Sequence, residues 1–203
     1  MKADERRRQI LDTAVELFSC HGFSGTTTKQ IAQAAGVSEA MVFRHFSTKD
    51  ALYNAILDTK VSEGGMNFLW DETSELKKAM DAGDDYEVFY LIARHALNKH
   101  HSDIGFTRLL FYSALEQHEL ADRFFKEYVA RVYEFIGNYI RRRQAEGAIR
   151  DADPKTAVRA FLGMLIHHSI NNILWDRDRS LVNLTNEEAA RQFSDILLRG
   201  ISK

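Results

Sequence analysis

Within Thr27–Lys49 (TTKQIAQAAGVSEAMVFRHFSTK), Ala40, Met41, Phe43 and Arg44 form an outward set on one short helix. Val42 and Phe46, four residues apart, take the inward positions, because i and i+4 share a helix face. Arg44 is the one charged side chain of that outward set. Its guanidinium can hold guanine through O6 and N7, and a phosphate contact is an equally good use of it. Glu39, at the start of the same helix, can accept from a cytosine amino group or simply stabilise the helix N-terminus. Arg6, Arg7 and Arg8 read either as a solvated helix end or as phosphate contacts.

No catalytic motif accompanies them. The chain has no G-x-S-x-G and no phosphate-cradling glycine loop, so an enzyme is not expected. The single cysteine, Cys20, is expected to be a small buried hydrophobe, and its solitude fits a cytosolic setting without disulfides. His100-His101 and His167-His168 are adjacent pairs, and neighbours on a helix point about 100° apart. With no cysteine or carboxylate at ligand spacing, neither a metal nor a cofactor is expected. His168 and Asn172, four apart in an apolar helix, could anchor a ligand, or His168 could be an ordinary core histidine. Phe106, Leu110, Tyr128, Val132, Phe135, Phe161 and Met164, with His168, have the character of an apolar pocket wall, although an aromatic stripe is more often plain core. An aromatic-rich cavity without clustered acids favours a small neutral or anionic hydrophobic ligand.

The elements that must hold these residues are helical. Thr27 and Gln30 form a capping box, Gly36 supplies the left-handed residue of a helix exit, and Ser38 caps the next helix. Cap, small-residue helix, glycine turn, cap and second helix make a helix-turn-helix. Before it, residues 5–21 repeat Ile10, Ala14, Leu17 and Phe18 on one face, and Gly22 ends the run. After it, Ser47 or Thr48 caps a connector helix over about 48–62, and Gly64-Gly65 breaks it. A short helix is expected over about Glu72–Met80. Longer ones follow over Tyr86–Lys99, Ser102–Gln117, Glu119–Glu146, Pro154–Trp175 and from the Thr185/Glu188 capping box to Ile201.

This is an all-α chain of 203 residues whose only proline is Pro154, consistent with long uninterrupted helices. The expected division is an N-terminal three-helix helix-turn-helix domain, 1–47, joined by the connector to a larger C-terminal helical domain within 48–203. Net charge is −2, with +1 on residues 1–50, so DNA contact must rest on local placement rather than bulk charge. No apolar run approaches the roughly 20 residues of a membrane span, and the reading is a soluble intracellular protein.

The first fifty residues resemble the DNA-binding domain of the TetR family of bacterial transcriptional repressors. The resemblance rests on Ile10-Leu11, Ala14, Leu17-Phe18, Gly22-Phe23, Thr27-Thr28, Ile31-Ala32, Ala35-Gly36-Val37-Ser38, Phe43, His45-Phe46, Lys49 and Leu52. It implies a homodimer paired through the last two helices and bound to a palindromic operator in double-stranded DNA. A small hydrophobic ligand would release it, acting on a C-terminal ligand-binding and dimerisation domain. Carried over by position, Thr27 and Lys29 would contact phosphates, and Glu39, Ala40, Met41, Phe43 and Arg44 would lie in or beside the major groove. His45 and Lys49 would touch the DNA backbone. Phe43 stands where the family usually has tyrosine, so a phosphate-bonding hydroxyl is missing; its ring can pack on sugar or a thymine methyl instead. Two other readings stand beside this one. One is an architectural DNA-binding protein without an inducer; the other is a helical small-molecule-binding protein that has lost DNA binding.

Overall fold

The computed structural model describes residues 3–62 and 68–202. Among these the chain is helical, with no strand; an isolated antiparallel bridge joins Ile149 and Ser202. The first four helices follow the expected order: α1 (Ala3–His21), α2 (Thr28–Ala34), α3 (Glu39–His45) and α4 (Lys49–Ser62). Their boundaries are set by local caps. Thr27 Oγ1 accepts from Gln30 N at 3.2 Å, while Gln30 Oε1 accepts from Thr27 N at 2.8 Å. Ser38 Oγ accepts from Met41 N at 3.2 Å, and Gly36 turns the chain between them at φ +63°. Of the two expected caps for α4, Thr48 takes the role, accepting from Ala51 N at 3.0 Å. The expected Gly64-Gly65 break lies outside the described residues.

Farther on, α5 (Glu75–Ala82) starts later than expected because Ser74 caps it, and Gly83, at φ +68°, closes it. Then come α6 (Asp85–Ser102) and α7 (Ile104–Leu115). The long helix expected over Glu119–Glu146 runs from Glu119 to Ala145, with a π-turn over Phe125–Val129 dividing it into α8 (Glu119–Phe124) and α9 (Ala130–Ala145). A π-turn adds a residue to the helical turn and so re-phases the apolar stripe that the sequence shows as continuous. Helix α10 (Pro154–Ile170) likewise ends in a π-turn, Asn171–Trp175, and α11 (Asn186–Ile201) starts at the Thr185/Glu188 capping box. No helix of the described residues is long and apolar enough to cross a membrane.

The helices form two compact units: residues 1–66 with 103–128, and residues 67–102 with 129–203. This partition differs from the division expected at residue 47, because α7 and α8 pack with the helix-turn-helix. The first unit is built around Tyr53, which is fully buried with its hydroxyl donating to Leu109 O at 3.3 Å. Phe18 meets its ring edge-on at 4.7 Å, and Phe106, Leu109 and Leu120 join the same core. Helix α7 approaches α1 closely at Gly105, where a Cβ would stand 3.2 Å from Val15 Cγ1. Val15 and Ser19, four apart, turn toward that contact. This explains a correction at Cys20, which is exposed while Ser19 is buried. A residue one step past the α7-facing position points about 100° away.

The second unit packs α6, α9, α10 and α11 around Phe89, Leu91, Ile136, Val158, Phe161 and Leu165. Phe161 lies 5.1 Å from Phe89 in an edge-to-face pair. Asp85 ties α6 to α9, accepting from Tyr139 Oη at 2.6 Å and from Arg143 Nε at 2.8 Å.

Candidate nucleic-acid interface

Helix α3 is held from behind and open in front. Val42 and Phe46 are buried, whereas Phe43 is 46% exposed, Ala40 and Arg44 are exposed, and Met41 and His45 are half-buried. Thr27 and Lys29, at the start of α2, are exposed as well. Two polar links fix this pair of helices. Thr28 Oγ1 donates to Glu39 Oε1 at 2.5 Å, joining the start of α2 to the first residue of α3. Gln9 Nε2 donates to Ala35 O at 3.0 Å, joining α1 to the end of α2. Glu39 therefore keeps one oxygen free of this bond for a base edge or for the helix dipole.

Among the basic residues, Arg6 donates to Gln9 Oε1 at 2.9 Å and Arg7 lies over the Phe46 ring at 5.0 Å. The Arg6 bond stays on the exposed face of α1, whereas Arg7 reaches the end of α3. Lys49 is more deeply committed. Its Nζ donates to Phe23 O at 2.9 Å and to Thr26 O at 3.0 Å, and it sits 4.0 Å above the Phe23 ring. Two of its three N–H groups are thus spent on the loop between α1 and α2.

That loop is also gripped by residues that sequence reasoning did not single out. Glu116, in the turn after α7, accepts from Phe23 N at 2.8 Å and from Ser24 N at 3.0 Å. His118 caps α8 by accepting from Leu120 N at 3.1 Å, and its ring packs 4.3 Å from Phe23 and 4.8 Å from Tyr53. Burial pushes the Tyr53 hydroxyl up to about 12, so it remains a neutral donor. Arg123 on α8 holds α4 through Asp58 at 2.6 Å and Asn54 Oδ1 at 3.1 Å. Nothing in the local sequence marks these partners, which lie 65 to 95 positions away.

The eight residues expected to wall a ligand pocket fall into both units. In the first, Phe106 is buried in the core and Leu110 and Tyr128 pack against it. In the second, Val132 and Phe161 are buried core, Met164 is half-buried, and Phe135 lines a cleft of about 250 Å³ with Met80, Asn138, Tyr139 and Arg142. His168 and Asn172 bond each other, Nε2 to Nδ2 at 3.0 Å, with the His168 ring 5.4 Å from Phe193. Burial, then the nearby Arg179 and His167, holds His168 below the usual histidine range. Of the other adjacent pair, His100 on α6 is half-buried and meets Ser169 Oγ on α10 at 2.9 Å. Burial and His95 lower its pKa too. Among the described residues, no three histidine, cysteine or acidic side chains are placed to share a metal ion.

Comparison with known proteins identifies the family. Residues 10–56 match the model of the tetR family of bacterial regulatory proteins, and residues 93–199 match that of the AefR-like transcriptional repressor C-terminal domain. An uncharacterised HTH-type transcriptional regulator of Bacillus subtilis, YvkB, is 25% identical over 201 residues, covering 96% of each chain. The fold resembles NalD of Pseudomonas aeruginosa, described as the secondary repressor of the MexAB-OprM multidrug efflux pump. The two share 22% identity at a TM-score of 0.69, over 100% of this chain and 99% of that one. It also resembles AibR, solved in complex with isovaleryl coenzyme A and operator DNA. That pair shares 24% identity at a TM-score of 0.67, over 95% of this chain and 98% of that one. With family models matching at both ends and an exposed recognition helix between its anchors, the chain belongs to the TetR family of DNA-binding transcriptional regulators, which are not enzymes.

Proposed function

We propose that the protein is a homodimeric repressor, bound to a palindromic operator and released from it by a small hydrophobic molecule. The observation that carries this reading is α3, anchored by buried Val42 and Phe46 while Phe43 and Arg44 face outward. In this reading Thr27 and Lys29 hold phosphates. Glu39, Ala40, Met41, Phe43 and Arg44 meet the major groove, His45 touches the DNA backbone, and Lys49 offers its remaining N–H to it. A two-fold dimer sets two such helices into successive grooves about 34 Å apart.

The last two helices support the dimer. Ile166 on α10 is 41% exposed and Ile196 on α11 is 56% exposed, and the space around Gly163 and Gly200 is open. Apolar and small residues of this kind let helices of a second copy approach closely. AibR, with its acyl-coenzyme A ligand, and NalD, a repressor, support ligand control and repression. Linkage supplies the mechanism: a ligand preferring the wrongly spaced conformation weakens DNA affinity by the factor by which DNA weakens ligand binding. Of the residues named for a pocket wall, Phe135 lines a cleft in the second unit with Met80, Asn138, Tyr139 and Arg142, and the ligand is placed there in this reading.

The test is fluorescence anisotropy with DNA from upstream of the protein's own gene and a scrambled duplex, across a salt series. Sequence-dependent binding with a steep salt slope, weakened about tenfold or more by Arg44→Ala, supports the operator reading. Equal binding to both duplexes would replace it with the architectural reading. A monomer by light scattering at micromolar concentration would remove the dimer.

A further inference from the structure

The segment between α1 and α2 has no regular structure, yet most of its polar backbone groups are engaged. Glu116 takes the N–H groups of Phe23 and Ser24, and Lys49 takes the carbonyls of Phe23 and Thr26. Thr26, buried, returns its hydroxyl to Gly22 O at 2.8 Å. Tyr112, one turn before Glu116, donates to Cys20 O at 3.2 Å and so holds the end of α1. Two features show how tightly this corner is built. Gly22 sits at φ +71°, and a Cβ there would stand 2.8 Å from Glu116 Oε1. Gln117 adopts φ +54°, a left-handed conformation that a non-glycine residue keeps only where its surroundings impose it.

Beyond the gripped loop, the next residues in the chain carry the contacts of the helix-turn-helix itself. Thr27 follows directly and caps α2; Thr28, next in line, donates to Glu39 at the first position of α3. The carboxylate of Glu116 therefore stands at one end of a short chain of contacts whose other end is the N-terminus of the recognition helix. Glu116 lies within the portion of the chain matched by the C-terminal family model, 93 residues from the loop it holds.

We propose that Glu116 is a positioning residue for DNA binding, acting through the Phe23 and Ser24 amides to set the start of α2 and, through the Thr28–Glu39 bond, the start of α3. It rests on the family's DNA-binding role and on no particular ligand or operator. Bonds from a carboxylate to backbone N–H groups are the stronger, charge-assisted kind. Holding a loop with two of them removes conformations in which Thr27 and Lys29 would be misplaced. Spatial continuity alone does not establish coupling, so the decisive test is energetic.

The experiment uses the full chain and a duplex selected by the wild-type protein from a randomised pool, with a non-selected duplex as control. Stoichiometric titration gives the active fraction and dilute titration gives Kd, which separates lost fold from lost placement. Glu116→Ala is expected to weaken Kd for the selected duplex about tenfold with the active fraction unchanged. Glu116→Gln, which keeps one acceptor oxygen, should fall between. Gly22→Ala, which crowds the carboxylate, should cost less affinity in the Glu116→Ala background than in wild type. A Kd for Glu116→Ala within twofold of wild type would overturn the assignment, as would strictly additive effects of the Gly22 and Glu116 substitutions. If Glu116→Ala does not fold, Glu116→Gln at wild-type affinity overturns it alone. A wild-type protein that selects no duplex would instead count against the DNA-binding reading on which the assignment rests.

Discussion

The two units spend their polar side chains differently. In the first, side-chain pairs such as Arg123 with Asp58 are matched by long-range bonds from side chains to backbone, which gather on the α1–α2 segment and its neighbours: Glu116 to the Phe23 and Ser24 amides, Lys49 to two carbonyls, Tyr112 to Cys20 O, Gln9 to Ala35 O. In the second they run mainly from side chain to side chain across helices. Asp85 meets Arg143 and Tyr139, Tyr90 meets Glu187, His100 meets Ser169 and Asn98 meets Asn186. A side chain that seizes backbone fixes the path of a loop whatever residues the loop carries. A side chain that seizes another fixes the register of two helices and depends on both residue types. The first arrangement suits a reading head whose small elements must be held in one shape; the second suits a helical body.

The sharpest way to break this comparison is at the core of the first unit. Phe18→Ala should cost about 3–5 kcal/mol, since a fully buried ring is removed. Hydrogen exchange should show protection lost together in α1–α4 and in α7–α8. Should α7 and α8 stay protected while α1 opens, the discontinuous unit is not a cooperative one. Next in size is Asp85→Ala, which strips Tyr139 and Arg143 of their shared partner. A cost of about 2 kcal/mol is expected, because the pair is only partly exposed, and denaturant melts with exchange should place that loss in the second unit.

A smaller pair of substitutions sharpens the contrast, because both units contain a capping box. Thr27→Ala and Thr185→Ala should each cost about 1 kcal/mol of stability. Only Thr27→Ala should also weaken DNA binding, as read by anisotropy. The smallest expected effect is on pH. Burial lowers the pKa of both His100 and His168 below the unfolded value of about 6.5, so folding favours their neutral forms. Their contribution is present above that value and fades as pH falls through it toward 5. Amide protection in the second unit should therefore drop between pH 7 and 5, and His100→Gln with His168→Gln should flatten the decline.

Much of the first unit was legible in the sequence because its determinants are local. Thr27 with Gln30, Ser38, Gly36 and the inward Val42 and Phe46 act over three or four residues, and pattern reading sees that range. The role of Glu116 was not legible, since its partners are backbone amides 93 positions away that leave no mark on residue type. Lys49 shows the same limit from the other side: the resemblance points it at DNA, and the fold turns two of its donors onto the loop. Cys20 was misjudged because apolar character was read without knowing that α7 claims the neighbouring face. The helix expected over Glu119–Glu146 ran on in the sequence because one extra residue in a π-turn shifts phase without breaking the apolar pattern. For the pocket residues, composition could not distinguish wall from core, and Phe106 is core of the first unit.

The discontinuity of the first unit has a consequence for recombination. Chimeric regulators are naturally designed by cutting after the connector helix and grafting one protein's reading head onto another's body. Here such a cut would leave residues 103–128 behind, and with them Glu116, Arg123 and the Gly105 notch that admits Val15. The transplanted head would meet a foreign turn and a foreign helix on the surfaces where it is held. The exchangeable module is 1–66 together with 103–128, two stretches that must travel as one.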